Sequence, residues 1–210
     1  MGEMSAGKIL LIILAALAAF VIVLGLWAMG TYNHLVSLQQ GMNSQWAQVQ
    51  NVYQRRADLV PNLVSTVAGA ANFEKSTLTA VTDARASVGR VQLPPGAAPT
   101  DPAQLAAFQQ AQGQLGAALS RLLVVSENYP TLRATANFRD LQAQLEGTEN
   151  RIAVERGRFN EAVQAYNTAI RSFPAVLIAG MFGHSVHPYF TAAAGSETAP
   201  KVNFDFSGKP

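Results

Sequence analysis

The chain has 210 residues, a formal net charge of +2 and no cysteine, and only 13% of its residues are charged. This length suits one domain with an appendage, and the lack of cysteine excludes disulfide bonds and thiolate metal sites. The lysines and arginines form no block, so we expect no nucleic-acid partner.

The first predicted element is a membrane-spanning helix at residues 9–29, after an N-terminal flank at residues 1–8. The sequence ILLIILAALAAFVIVLGLWAM is an unbroken apolar run of 21 residues. At ~1.5 Å per residue it spans roughly 30 Å, the thickness of a bilayer's hydrocarbon core. The apolar region of a cleaved signal peptide is shorter, about 7 to 15 residues, so we expect a retained anchor.

The charges that flank this run predict its orientation. Lys8 precedes the run, and no other charged residue follows until Arg55. The positive-inside rule then favours an N-terminus in the cytoplasm and a domain outside it. Trp27 and Tyr32 lie where aromatic residues meet the edge of a membrane.

The next predicted element is a helix at residues 31–60 that continues the membrane helix as a stalk. Its apolar residues recur at spacings of three and four; they are Leu35, Leu38, Met42, Trp46, Val49 and Tyr53. The rest of its surface is polar but uncharged, which would let copies pack without like-charge repulsion. The alternative is that the other helices bury this face. The predicted oligomer face comprises Gln39, Gln40, Asn43, Gln45, Gln48 and Gln50.

Three more helices follow, at residues 62–91, 103–128 and 135–173. The segment LPPGAAPTDP at 93–102 predicts a loop. The last helix carries apolar residues in a coiled-coil heptad with one stutter, which is typical of bundle packing. The reversal after the stalk falls either at Pro61 or at residues 69–72, and the matched helix lengths favour a break at Pro61. These elements predict an all-α, antiparallel, mainly four-helix bundle.

The end of the chain leaves two alternatives open. The apolar segment SFPAVLIAGMFG at 172–183 is too short to span a bilayer. It either caps the open end of the core or touches the membrane interface. Residues 183–210 predict a loop-like tail, in which KVNFDF at 201–206 is either disordered or adds as an edge strand to a partner.

A polar cluster surrounds the stretch RRADLVPN at 55–62. A proline at position 61 leaves the carbonyl of Ala57 without its helical donor, so neighbouring side chains are expected to satisfy it. Asp58 would cap the helix after a break. The cluster either fixes a bend structurally or forms a ligand or partner site. Its predicted members are Arg55, Arg56, Asp58, Pro61, Asn62, Glu127, Glu146 and Glu149.

Signs of catalysis are weak. The histidines are His34, His184 and His187, and no carboxylate cluster accompanies them. There is no glycine-rich phosphate loop, no recognisable nucleophile setting and no Glu-x-x-His motif of di-iron bundles. We therefore expect no metal, no cofactor and no catalytic residue.

Several motifs in the same order resemble the LemA family of bacterial membrane-anchored proteins. They are RRADLVPNLV, LSRLLVVSENYPTLRA, QLEGTENRIAVERGRFNEAVQAYN and the ending FP…FG…PYF…APKVNF, between about Tyr32 and Phe204. The resemblance implies one N-terminal membrane segment and a helical bundle at residues 31–182, and it supplies no catalytic residue. Gly157 departs from the family, which usually has a longer side chain there.

These observations predict a non-catalytic, single-pass scaffold of the bacterial cytoplasmic membrane that forms a homo-oligomer. Its expected partners are the lipid bilayer and copies of itself. One alternative is an adaptor or regulatory partner of another membrane protein, such as a protease. The other is an enzyme with an unrecognised site near Arg55, Arg56 and Asp58.

Overall fold

The computed structural model describes residues 6–70, 73–91, 93 and 96–192. Every regular element in these ranges is a helix, which confirms the predicted all-α class. The six helices are α1 (Ala6–Ala68), α2 (Lys75–Arg90), α3 (Pro102–Ser126), α4 (Pro130–Arg133), α5 (Ala136–Arg171) and α6 (Ala175–Met181). The tail motif KVNFDF lies outside the described residues.

Helix α1 is one continuous helix of 63 residues, so the stalk extends the apolar N-terminal run without interruption, as predicted. An 18-residue window within it has a mean hydropathy of 3.3, and none of that window is buried against the rest of the chain. Beyond the run, the predicted apolar stripe faces the domain, and Met42, Trp46 and Val49 are fully buried. Helix α1 therefore joins a segment long enough to cross a membrane to the core of the bundle.

The predicted break at Pro61 is wrong, because α1 continues through the proline to Ala68. A proline within a helix removes the hydrogen bond to the carbonyl one turn earlier, and its ring crowds that carbonyl. Here the Arg85 side chain on α2 donates from Nε to the Ala57 carbonyl oxygen over 3.0 Å. The reversal instead follows Ala68, at the second place the sequence allowed, and Asp58 caps no helix.

The long helices alternate in direction around the core. Trp46 on α1 contacts Phe159 on α5 and Phe108 on α3. Further along α1, Arg56 contacts Glu149 on α5 and Gln112 on α3, so α1 is antiparallel to α5 and parallel to α3. Phe73, just before α2, contacts Tyr129, just after α3, so α2 and α3 are antiparallel. The resulting bundle of α1, α2, α3 and α5 has the predicted antiparallel arrangement, and α5 descends towards the membrane end of α1.

Helix α2 has only 16 residues, so it covers only the half of the bundle that lies far from the apolar run. In the near half, the loop before α3 takes its place. Ala98 in this loop is buried, and Val91 and Leu93 pack against the same core cluster. The Ala98 amide donates to the Asn43 side-chain oxygen over 3.0 Å, which ties the loop to α1.

Helix α6 turns back under the bundle beside the membrane end of α1. Ile178 and Ala179 are buried, and the Phe182 ring lies 4.7 Å from the Tyr32 ring, centroid to centroid. One side of α6 therefore covers the near end of the core, as one of the two sequence alternatives proposed. Its other side is exposed.

Candidate functional site

A polar layer divides the core of the bundle in two. One apolar cluster contains Trp46, Phe108 and Ile152, and the other contains Val60, Leu115 and Leu145. Between them, each of three helices contributes one polar residue at the core boundary: Arg56 from α1, Gln112 from α3 and Glu149 from α5.

Arg56 is the centre of this layer, and the phase of α1 explains its burial. The apolar stripe advances from Val49 to Tyr53 and resumes at Val60; Arg56 occupies the core-facing position between them. Only 4% of its side chain is exposed. A buried guanidinium is costly unless its charge is paired and its N–H groups have acceptors.

The partners of Arg56 satisfy most of that requirement. Its Nη1 donates to Glu149 Oε1 over 2.9 Å, and its Nη2 donates to the Gln112 main-chain oxygen over 2.9 Å and to the Gln112 side-chain oxygen. The guanidinium carbon lies 5.1 Å from the centre of the Tyr53 ring, a cation–π distance. Within the described part of the chain, the Nε of Arg56 has no acceptor.

A pocket of about 470 Å³ opens beside this arginine. Gly113 and Gly116 on α3 leave the space, and a Cβ at Gly116 would lie 3.6 Å from Arg56 Nη1. Arg156 forms the opposite side, where it donates to the Thr191 carbonyl over 3.0 Å. The lining residues include Tyr53, Arg56, Gln109, Gln112, Gly113, Gly116, Glu149, Ile152, Arg156 and Thr191.

The chemistry of this pocket suits binding better than proton transfer. Burial raises the pKa of the Tyr53 hydroxyl above its ordinary value, although nearby Arg156 and Arg56 act in the opposite direction, so the phenol stays neutral at physiological pH. The remaining groups are two guanidiniums, amides and one carboxylate. The described residues that line the pocket include neither a paired carboxylate nor a histidine to act as a base.

The structure brings together only two members of the predicted polar cluster, Arg56 and Glu149. The other six are exposed on the surface, and the hydrogen bonds of three of them stay within their own helix. Asp58 accepts a hydrogen bond from Gln54, Glu146 accepts one from Gln142, and the Asn62 main-chain oxygen accepts from two hydroxyl groups. Arg55, Pro61 and Glu127 are also exposed.

Sequence reasoning missed Gln112 and Arg85. Gln112 accepts hydrogen bonds from Arg56, and Arg85 donates to the Ala57 carbonyl, which members of the predicted cluster were expected to satisfy. Gln112 could have been found by its phase, because it lies between Phe108 and Leu115 on the buried face of α3. No local signal marks Arg85, since its acceptor Ala57 is 28 positions away in the sequence.

Sequence reasoning also missed how the segment after α6 is held. Asn167 pairs its side-chain amide with both main-chain groups of His187, and Asn160 does the same with Phe190. Seven residues of helix rise about 10.5 Å, and three extended residues span about 10 Å, so the two spacings match. The described part of the predicted tail is therefore an extended segment bound along α5.

The predicted oligomer face is divided by the structure. Gln40 and Gln48 are exposed, whereas Gln39, Asn43, Gln45 and Gln50 are partly buried, and Asn43 is bound to Ala98 of its own chain. One exposed stripe of the stalk, which shares Gln48 with this face, is also uncharged. It consists of Ser37, Gly41, Ser44, Gln48 and Asn51, and we call it the neutral stripe.

His187 predicts a pH dependence of stability. Burial lowers the pKa of His187 below its ordinary value of 6.5, against the opposing effect of its hydrogen bond to the Pro99 carbonyl. As the pH falls below 6.5, His187 binds a proton in the unfolded chain but stays neutral in the folded chain. The free energy of unfolding therefore decreases until the pH reaches the lower pKa of the folded chain. The Tyr166 ring, 5.4 Å away, offers no charge to compensate.

We expect urea midpoints of the full chain to decrease from pH 7 to pH 5. The substitution His187→Gln should flatten that decrease, whereas His34→Gln, at an exposed position of α1, should leave it unchanged. An unchanged slope in His187→Gln would contradict the assignment.

No group of three or more His, Asp or Glu side chains that could hold a metal ion occurs in the part of the chain that the structure describes. Two of the three histidines have separate partners: His184 Nδ1 pairs with the Tyr166 hydroxyl, and His187 Nδ1 pairs with the Pro99 carbonyl oxygen.

Comparison with known proteins identifies a family and two similar proteins. The LemA family matches residues 45–204. Magnetosome protein MamQ of Magnetospirillum gryphiswaldense is 26% identical over an alignment of 189 residues, and the match covers 80% of this chain and 67% of the relative. Magnetosome protein MamQ 2 of Paramagnetospirillum magneticum is 27% identical over 182 residues, with the same coverage. With the long apolar helix, these relatives indicate a membrane-anchored bacterial protein.

Proposed function

Because this chain belongs to the LemA family, we propose that it is a non-catalytic scaffold that self-assembles at the bacterial cytoplasmic membrane. The apolar run of α1 crosses the bilayer once, with Lys8 on the cytoplasmic side and the bundle on the other side. Copies associate side by side through α1, above and within the membrane. The observation that carries this proposal is the neutral stripe.

The neutral stripe has the properties of a surface for self-association. Its members recur at spacings of three and four, so they form one line along α1. No charged residue occurs on α1 between Lys8 and Arg55, so copies meet there without like-charge repulsion. Gly41 has no heavy atom within 4 Å of an added Cβ, which leaves room for a neighbouring helix to approach.

The polar layer supports a structural rather than a catalytic role. Arg56 is neutralised by Glu149 and bound to Gln112 within the chain, so the layer sets the register of three helices without any ligand. A polar group of this kind selects one alignment of a bundle, since any slip leaves a buried charge unpaired. A scaffold with repeated contacts needs such a fixed shape.

We expect the full chain in mild detergent to form discrete particles of several copies by mass photometry and negative-stain microscopy. The double substitution Ser44→Arg with Gln48→Arg places like charges on the neutral stripe and should reduce the particles to single chains. The matched control is Gln144→Arg on the exposed surface of α5, which should assemble normally.

Single chains from the unmodified protein would contradict self-assembly. A stoichiometric second protein in that case would favour the adaptor alternative, such as a regulatory partner of a membrane protease. Assembly that survives both stripe substitutions would place the interface elsewhere on the molecule.

A further inference from the structure

Helix α6 exposes a continuous apolar surface at the membrane end of the bundle. Four large side chains on and beside α6 are far more exposed than their chemistry favours in water. We call this surface the interface patch; its members are Phe173 (82% exposed), Leu177 (59%), Met181 (78%) and Phe182 (58%).

The position of the interface patch relative to α1 identifies what covers it. The apolar run ends at Met29, and Tyr32 lies three residues further, about 4.5 Å along the helix axis. The Phe182 ring contacts the Tyr32 ring at 4.7 Å. The headgroup layer on each side of a bilayer is about 5 to 8 Å thick, so a membrane crossed by α1 places Phe182 within that layer.

The charges around the patch agree with lipid contact. Residues 172–192 contain no Asp, Glu, Lys or Arg, so the patch presents no carboxylate to the phosphates of the membrane. Arg171, exposed in the last turn of α5, directly precedes the segment and can pair with a phosphate. Helices that lie in a membrane interface bury an apolar face at the boundary between the headgroups and the acyl chains.

We propose that α6 lies in the interface of the same bilayer that α1 crosses, with the interface patch among the lipid headgroups and upper acyl chains. The bundle then contacts the membrane at two places instead of one. The tilt of a single spanning helix is set by its neighbours and interfacial anchors, so this second contact holds the bundle at a defined angle. This proposal rests on the membrane anchoring in the proposed function.

The absence of cysteine from the chain allows a direct test by site-specific labelling. Single cysteines at Leu177 and Met181 of the full chain are labelled with an environment-sensitive fluorophore in nanodiscs of phosphatidylethanolamine and phosphatidylglycerol. The nanodiscs also contain lipids with a nitroxide quencher at the headgroup or high on the acyl chain. Loss of emission then shows that the fluorophore lies at the depth of that nitroxide. The controls are Leu17→Cys within the apolar run and Gln144→Cys on the exposed surface of α5, away from the neutral stripe.

We expect labels at Leu177 and Met181 to lose most of their emission to the shallow quenchers, and the label at Gln144 to keep its emission. If the label at Leu17 is quenched by acyl-chain nitroxides while those on α6 are not, the inference is wrong although the anchor stands. Blue-shifted but unquenched emission on α6 would show that protein covers the patch. If the label at Leu17 is not quenched, the proposal that α1 crosses the membrane is wrong, and the inference about α6 is wrong with it.

Discussion

Replacement of Arg56 by alanine will lower the free energy of unfolding of the bundle by about 3 kcal/mol. The change removes a charge-assisted hydrogen bond to Glu149 and the donor to both oxygens of Gln112, and hydrogen bonds to charged groups contribute about 1.5 to 3 kcal/mol. It also leaves Gln112, which is 4% exposed, without that donor. Breaking a buried ion pair costs about 3 to 5 kcal/mol. We expect a value at the low end of this range because 45% of the Glu149 side chain is exposed to solvent.

Urea titration of the full chain in mild detergent measures this loss through tryptophan fluorescence, because Trp46 is buried in the bundle; the other tryptophan, Trp27, lies in the apolar run. The matched control is Arg55→Ala, one position earlier and exposed, which should change the free energy by less than about 0.5 kcal/mol. Arg56→Lys should not restore stability, since a lysine lacks the planar fork that reaches two partners at once. Unchanged stability in Arg56→Ala, with loss of assembly or activity, would make the pocket a functional site.

Replacement of Phe190 by alanine will cost about 4 kcal/mol, near the middle of the range for a buried aromatic side chain. Phe190 is 5% exposed, and its ring lies 6.0 Å from Trp46 and 5.5 Å from Phe159. The Arg156 guanidinium lies 4.8 Å from the ring centre, so a cation–π contact is lost with it. The segment after α6 is thus part of the core rather than an appendage.

The neighbouring substitution Tyr189→Ala provides the comparison, because Tyr189 is 41% exposed and should cost far less. Hydrogen exchange of the same variants would show whether Asn160 and Asn167 still hold the segment. A Phe190→Ala chain as stable as the Tyr189→Ala chain would mean that residues 184–192 contribute little to the fold.

The neutral stripe and the interface patch differ in how visible they are in the sequence. The uncharged polar surface of the stalk is visible in the sequence of α1, but the face predicted from it shares only Gln48 with the stripe that the structure exposes. The patch needed the fold, since SFPAVLIAGMFG is apolar throughout and nothing local separates its buried side from its exposed side. The exposure of Phe173, Leu177 and Met181 shows which side is turned outward, and the contact between Tyr32 and Phe182 places that side near the apolar run.

Pro61 shows where local rules mislead. A proline in a helix usually marks a break, and the matched lengths of the flanking segments pointed the same way. The helix continues because Val60, Leu63 and Val67 are all buried in the far half of the core, and because Arg85 satisfies the carbonyl that the proline leaves free. Tertiary burial therefore outweighed a local preference.

By itself, the sequence determined the long apolar helix, the phase of α1 and α5 and the all-α class, because these depend on spacings of three and four within single helices. Only the tertiary structure decided which polar groups meet. Arg56 and Glu149 are 93 positions apart, Arg85 and Ala57 are 28 apart, and Asn160 and Phe190 are 30 apart. Such pairings follow from the packing of whole helices, which brings together residues that no local pattern connects.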